Sequence, residues 1–141
     1  MKWRAISVGL SVVAVLGVGW WLMRPTPPGL LVLISIDTLR ADRLPIYGYT
    51  AGRTPALDSF ARDAITFDRA YAHAPQTLPS HASMFTGQLP FEHAVRDNLG
   101  FTLSNDAVSL PELLNQAGYQ TGGFVSSFVL RAETGIAQGF A

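Results

Sequence analysis

The chain has 141 residues, ten of them basic and ten acidic, so its formal net charge at pH 7 is zero. It contains no cysteine, which fits either an exported or a cytosolic protein without disulfides. Residues 25–141 hold seven arginines, no lysine and ten acids, and no basic stripe is present. We therefore expect no nucleic-acid partner.

The first 24 residues form a predicted transmembrane anchor. Residues 5–23 carry no charge, and a helix of that length just spans a hydrocarbon core of about 30 Å. Tryptophans at its far end suit an interfacial belt, and the basic Lys2 and Arg4 favour a cytoplasmic N-terminus with the following domain periplasmic or extracellular. A cleaved signal peptide is the competing interpretation, although its apolar region would normally be shorter. Contact with a membrane through residues 5–23 is thus expected.

A short Pro-rich spacer at residues 25–29 leads into a segment, 30–141, that we interpret as one domain. Residues 30–36 are a near-continuous apolar run, as expected of a strand buried on both faces of a sheet. Asp37 follows at the carboxyl end of this predicted strand, where open α/β sheets bind ligands. A simple turn former or helix cap is the plain alternative for this acid.

Helices and a further strand are predicted downstream. A proline in the first turn and a glycine after the last turn predict where these helices begin and end. A capping box formed by Ser109 and Glu112 predicts one further helix start. The predicted helices begin near Thr54, Thr77 and Ser109, and the last one stops at Gly118 ahead of a strand through residues 124–125. Strands that alternate with helices indicate an α/β fold.

We expect the reactive side chains on the first turns of the predicted helix near Thr77. Pro79 is tolerated in its first turn, and Gly87 is the residue type that ends helices. Thr77 would lie at the N-terminal end of the helix (its mouth), where free N–H groups and the positive end of the dipole favour an anion such as a phosphate or sulfate ester. An N-cap is the plain alternative for Thr77. His81 lies one turn later and could bind or protonate a substrate oxygen.

The run at residues 77–87, Thr-Leu-Pro-Ser-His-Ala-Ser-Met-Phe-Thr-Gly, resembles the signature of the sulfatases within the alkaline phosphatase superfamily. Thr77, Pro79, Ser80, Thr86 and Gly87 match that signature in place. The upstream stretch 33–42 resembles the family's first strand and metal-binding turn, and the resemblance continues to the end of the chain. It implies a three-layer α/β sandwich with a mostly parallel sheet, of which residues 30–141 would be the N-terminal portion.

Two departures from the sulfatase pattern bear on the chemistry. Sulfatases convert a cysteine or serine at the nucleophile position into formylglycine, which Thr77 cannot become. Threonine is instead the nucleophile type in the related phosphoethanolamine and phosphoglycerol transferases. The family also usually has two adjacent acids after its first strand, whereas Asp37 is followed here by Thr38. One carboxylate ligand is thus missing or replaced by a weaker oxygen ligand.

The resemblance implies a role for each candidate residue. A divalent metal ion, Ca, Mg, Mn or Zn, would be held by oxygen ligands and would activate a hydroxyl nucleophile. His81 stands where the family has arginine, and the segment around Asn98 resembles one that reaches the substrate in related hydrolases. The implied metal ligands are Asp37, Thr38 and Thr77, the implied catalytic residues are Thr77 and His81, and the implied substrate-binding residues are Asn98 and His93.

The function implied by the resemblance is that of a metal-dependent hydrolase or transferase acting on sulfate or phosphate esters. The alternative is a non-catalytic, membrane-anchored fragment. A complete sulfatase fold has several hundred residues and draws further metal ligands from late in the chain. We therefore expect these 141 residues to be the N-terminal part of a longer protein and to be inactive alone.

Overall fold

The computed structural model describes residues 29–141. Three α-helices lie in this part of the chain: α1 spans Pro55–Arg62, α2 spans Thr77–Thr86 and α3 spans Leu110–Gln116. Short 3₁₀ helices at Ala41–Arg43, Pro45–Tyr47, Phe128–Leu130 and Ala132–Thr134 complete the regular structure of these residues. The predicted helices are therefore present, each in its expected place.

The two predicted strands do not form within residues 29–141. Side chains of the apolar run at 30–36 are exposed, Ile34 to 77%, and Phe124 is fully exposed. A strand exists only when a neighbouring strand satisfies its N–H and C=O groups, and no part of the described chain pairs with either run. The helical half of the predicted α/β class is thus present in these residues, and the sheet is not.

The predicted membrane localisation is contradicted by the lengths of the helices in the described residues. Among residues 29–141, no helix is long and apolar enough to cross a membrane. The longest, α2, has ten residues and extends about 15 Å, half of a hydrocarbon core of about 30 Å. The anchor predicted over residues 1–24, including the span 5–23, lies outside the described residues, as does all but the last residue of the predicted spacer.

A small hydrophobic core forms around α2. Leu78 and Ala82, one turn apart on that helix, are fully buried and pack with Val95, Leu103 and Ile136 from the later chain. Residues four apart share one face of a helix, so this pair directs one side of α2 into the core. The neighbouring side, which carries Thr77 and His81, faces the segment around residue 37.

The ends of the helices follow the local signals in the sequence. Gly87 ends α2 with a φ of +69°, and its N–H donates to the Ser83 carbonyl oxygen at 2.9 Å. The capping box of α3 is complete, because the Ser109 side chain accepts the Glu112 N–H and the Glu112 side chain accepts the Ser109 N–H. In α1, by contrast, the Thr54 hydroxyl makes no capping bond and donates to the Asp58 carboxylate at 3.0 Å.

Candidate active site

Asp37 and Thr77, forty residues apart in sequence, meet at the mouth of α2. The Thr77 Oγ1 hydroxyl lies 3.1 Å from Asp37 Oδ2 and 3.3 Å from Asp37 Oδ1, so it donates to the carboxylate. Gln76 occupies the N-cap position and makes no side-chain capping bond. The hydroxyl of Thr77 is thus directed at an acid rather than at its own helix backbone, which argues against a simple capping role.

Thr38 follows Asp37 in a strained backbone conformation. Its φ is +57°, one of two positive values among the non-glycine residues of the described chain. The Leu39 N–H approaches the Ile36 carbonyl oxygen at 3.4 Å, which closes a tight turn around Asp37 and Thr38. A β-branched residue in this left-handed region costs about 1–2 kcal/mol, and such strain concentrates at functional sites.

His81 lies one turn beyond Thr77 and is 8% exposed. Its Nδ1 lies 2.8 Å from the Thr77 carbonyl oxygen, and its Nε2 lies 3.0 Å from the Ser35 hydroxyl. The ring also meets Phe85 edge-on, with 6.4 Å between ring centroids. Both ring nitrogens therefore have protein partners, and the ring is fixed in orientation.

Asn98 closes the mouth of α2 from outside the helix. Its Oδ1 accepts the Leu78 N–H at 2.9 Å, and Pro79 has no N–H to offer. The amide oxygen of Asn98 thus satisfies a first-turn donor that the N-cap leaves open. The structure therefore brings together Asp37, Thr77 and Asn98 around one helix end.

His93, another predicted site residue, has its polar contacts elsewhere. It is 5% exposed, its Nε2 lies 2.9 Å from the Ser83 hydroxyl, and its Nδ1 accepts the Val95 N–H at 3.1 Å. Burial lowers the pKa of His93 below 6.5 because the charged ring would lose its hydration. Its described partners do not include Thr77 or Asp37.

The divalent metal ion that the resemblance implies requires several oxygen donors around one point. The Asp37 carboxylate and the nearby threonine hydroxyls are hard oxygen donors of the right kind. They are too few, because residues 29–141 contain no group of three or more acidic, histidine or cysteine side chains able to hold a metal. The oxygen donors in the described residues are of the type that binds a divalent ion. They are too few to form a complete metal site by themselves.

Sequence patterns did not single out Ser35, although the structure places it against His81. A signal existed: Ser35 and Asp37 are two residues apart, and such residues point to the same side of an extended chain. Arg40 and Asp42 form an ion pair with each other, with Arg40 Nε 2.8 Å from Asp42 Oδ1.

The chain matches known proteins over most of the described residues. The family model described as Sulfatase matches residues 30–140. An N-acetylglucosamine-6-O-sulfatase from Bacteroides thetaiotaomicron is 34% identical over 91 residues, 64% of this chain and 16% of that protein. An N-acetylgalactosamine-6-sulfatase from Rattus norvegicus is 31% identical over 122 residues, 78% of this chain and 22% of that protein.

The structural comparison gives a similar result. The solved structure of a 2-O GAG sulfatase superposes with a TM-score of 0.65 at 28% sequence identity, covering 74% of this chain and 23% of that one. The structural neighbours are sulfatases with an α/β fold. The chain spans about a fifth of the length of the relatives it matches.

Proposed function

The chain belongs to the sulfatase family, and from that membership we propose that it carries the nucleophile end of a site that hydrolyses or transfers sulfate or phosphate esters. Thr77 is the nucleophile in this proposal, and Asp37 is its partner. The observation that carries it is the hydrogen bond from the Thr77 hydroxyl to the Asp37 carboxylate, 3.1 Å long, at the N-terminal end of α2.

The geometry supports a direct chemical role for both residues. A free hydroxyl is a weak nucleophile, and an acceptor within hydrogen-bond reach activates it. As Thr77 Oγ1 attacks phosphorus or sulfur, its proton passes to Asp37 and the bond to the leaving oxygen breaks. The departing alkoxide takes a proton from water and leaves as the alcohol, and an ester of Thr77 remains. Water or an acceptor alcohol then cleaves that ester. Asp37 is exposed, so a substrate can reach this pair from solvent.

Substrate oxygens would be bound at the mouth of α2. The Oδ1 atom of Asn98 is engaged by Leu78 N–H, which fixes the amide plane and leaves its Nδ2 group to donate to an ester oxygen. The positive end of the helix dipole favours the same anion. His93 takes no direct part in this scheme, because Ser83 and Val95 engage both of its ring nitrogens.

We propose Asp37, with Thr38 and Thr77, as this chain's share of a divalent metal site. When bound, such an ion polarises the ester and lowers the pKa of a coordinated hydroxyl. One carboxylate does not complete a coordination shell. Sustained turnover by residues 1–141 alone is therefore expected to stay negligible. A single transfer needs only the Asp37 acceptor beside Thr77, so slow formation of a covalent Thr77 ester is the better measure of the site.

Two observations favour different esters as the substrate. The relatives named above act on sugar sulfates, which favours sulfate. Threonine has one hydroxyl and cannot supply the second one with which formylglycine hydrate expels sulfate, so residue 77 favours phosphorus. We propose phosphate esters as the preferred substrates on that ground, because a phosphothreonine is open to in-line attack by water or an alcohol.

The test is to trap the covalent intermediate. The chain is incubated with an aryl phosphate or an aryl sulfate, with Mn, Mg, Ca or Zn added, and modified peptides are identified by mass spectrometry. Thr86→Ala is the matched control, because Thr86 lies on the same helix and its hydroxyl is bound to the Ala82 carbonyl oxygen at 2.7 Å. A phosphate on residue 77 that survives in Thr86→Ala and disappears in Thr77→Ala is expected. Modification that persists in Thr77→Ala would show that another residue is the nucleophile.

A further inference from the structure

We propose that Ser35 and His81 act as a positioning pair that holds the Thr77 hydroxyl against Asp37. This inference rests on the proposed role of Thr77 as the nucleophile. It assigns a function to Ser35 and gives His81 a role different from that of an acid or base. Four side chains and one backbone carbonyl group meet at the contact between α2 and residues 35–37.

Two parallel contacts join these two segments. Asp37 bonds to Thr77 Oγ1 at 3.1 Å, and Ser35 bonds to His81 Nε2 at 3.0 Å. Ser35 and Asp37 are two residues apart on one segment, and Thr77 and His81 are four residues apart on one helix face. The spacing on each side allows both contacts to form at once, so loss of the Ser35 contact lets residue 37 move relative to Thr77.

His81 connects the two contacts directly. Its Nδ1 binds the carbonyl oxygen of Thr77 itself at 2.8 Å. A single rigid ring thus joins the backbone of the nucleophile to the segment that carries its acceptor. Because the ring is 8% exposed and packs edge-on against Phe85, it has little freedom to turn away.

The partners of His81 fix its tautomer. A carbonyl oxygen can only accept, so Nδ1 carries a proton, and in the neutral ring Nε2 then presents its lone pair to the Ser35 hydroxyl. His93 has the opposite arrangement, because its Nδ1 accepts the Val95 N–H and its Nε2 must therefore donate to Ser83. The two histidines provide an internal comparison within one molecule.

The occupied nitrogens explain why His81 positions rather than transfers protons. A general acid or base needs a ring nitrogen within reach of the substrate, and neither nitrogen of His81 is free for one. Placement alone is valuable, since a displacement of about 1 Å at a reacting group can cost about a hundredfold in rate.

The first experiment measures side-chain states and does not depend on catalysis. Its outcome is therefore independent of whether the proposed function is correct. Nitrogen-15 spectra of the chain at neutral pH should show His81 protonated at Nδ1 and His93 protonated at Nε2. Three-bond couplings should show a single χ1 rotamer for Thr77. In Ser35→Ala the Thr77 couplings should average over rotamers, while those of Thr86, whose hydroxyl is bound within α2, should stay unchanged.

Conservative variants distinguish positioning from general support of the fold. Ser35→Thr keeps the hydroxyl and should retain the single Thr77 rotamer. His81→Asn keeps an N–H near the Thr77 carbonyl and loses the contact with Ser35, so it should match Ser35→Ala. The double variant should be no worse than either single one, as expected of residues that act as a unit.

The rate of Thr77 ester formation is the second readout. Ser35→Ala and His81→Asn should each lower it by about ten- to a hundredfold, and Ser35→Thr should restore it. A wild-type chain that forms no Thr77 ester would contradict the proposed nucleophile, whatever the spectra show. An unchanged Thr77 rotamer in Ser35→Ala, or His81 protonated at Nε2, would overturn the positioning pair itself.

Discussion

Burial of His93 links the stability of the chain to pH. The ring is 5% exposed, and burial lowers its pKa below 6.5. Well above pH 6.5 the ring is neutral in both the folded and the unfolded chain. Below that pH the unfolded chain takes up a proton that the folded chain resists, so the free energy of unfolding falls as the pH falls.

The measurement is urea unfolding of the wild type and of His93→Gln at about pH 7.5 and about pH 5.5. The wild type should lose more stability between these two pH values than the variant does, because glutamine does not titrate. The same loss in both proteins would mean that His93 is not the group responsible.

The left-handed conformation of Thr38 leads to a second expectation. Its φ is +57°, a region that aspartate and asparagine tolerate better than a β-branched residue does. Thr38→Asp should therefore relieve strain and add a second carboxylate beside Asp37. We expect binding of Mn to tighten by about tenfold or more, because charge on the ligands raises affinity for hard ions.

Thr38→Gly is the control for that substitution. Glycine relieves about 1–2 kcal/mol of strain and loses about 0.5–1 kcal/mol to its freedom in the unfolded chain, so a net gain in stability of roughly 0 to 1.5 kcal/mol is expected. Isothermal titration of both variants with Mn separates the effects. Equal affinities in the aspartate and glycine variants would mean that residue 38 does not reach the ion.

At the scale of an element, α3 depends on its N-cap residue, Ser109. Ser109 is 1% exposed, takes part in a complete capping box and also donates to the Gln138 carbonyl oxygen at 3.0 Å. Ser109→Ala removes the capping bond and the tie to the chain terminus. A loss of about 1–2 kcal/mol in the free energy of unfolding is expected, against less than about 0.5 kcal/mol for the exposed Ser126→Ala.

Elements encoded by neighbouring residues were the predictable ones. Gly87 and the Ser109 capping box were identified from sequence because each signal acts within a few residues of the helix end it sets. The predicted strand at 30–36 did not form in the described residues, because strand formation requires a partner that no local pattern reveals.

The site was predictable only in part, for the same reason. The pairing of Asp37 with Thr77 spans forty residues and was expected from a family resemblance, not from local physics. Ser35 was missed because its two-residue spacing from Asp37 places it on the same side of the chain but does not reveal His81 as its partner. The burial of His93 and its contacts with Ser83 and Val95 could not be predicted, because they depend on how other parts of the chain pack around it.

At the scale of the whole molecule, the end of the chain docks on α3 through a glycine. Gly139 has a φ of +80°, and a side chain there would collide with the backbone of Pro111 and Glu112. Gly118 has a similar φ, +89°, and no atom lies within 4 Å of the point where a Cβ would stand. The two glycines thus separate the cost of a collision from the cost of the backbone conformation.

Gly139→Ala should destabilise the chain by about 3 kcal/mol, and Gly118→Ala by about 1 kcal/mol. Thermal or urea unfolding of both variants measures the difference. Equal losses would indicate that the terminal segment moves aside without cost and that its contact with α3 contributes little to stability.

The exposed run at residues 30–36 has a consequence for handling the protein. Seven residues rich in leucine, isoleucine and valine, without charge or proline, match the sequence signature of segments that form intermolecular cross-β assemblies. Their unpaired backbone groups offer a template on which a second molecule can add. The chain should therefore aggregate with a lag phase that shortens as concentration rises. A lysine in place of Ile34, 77% exposed, should act as a gatekeeper and lengthen that lag.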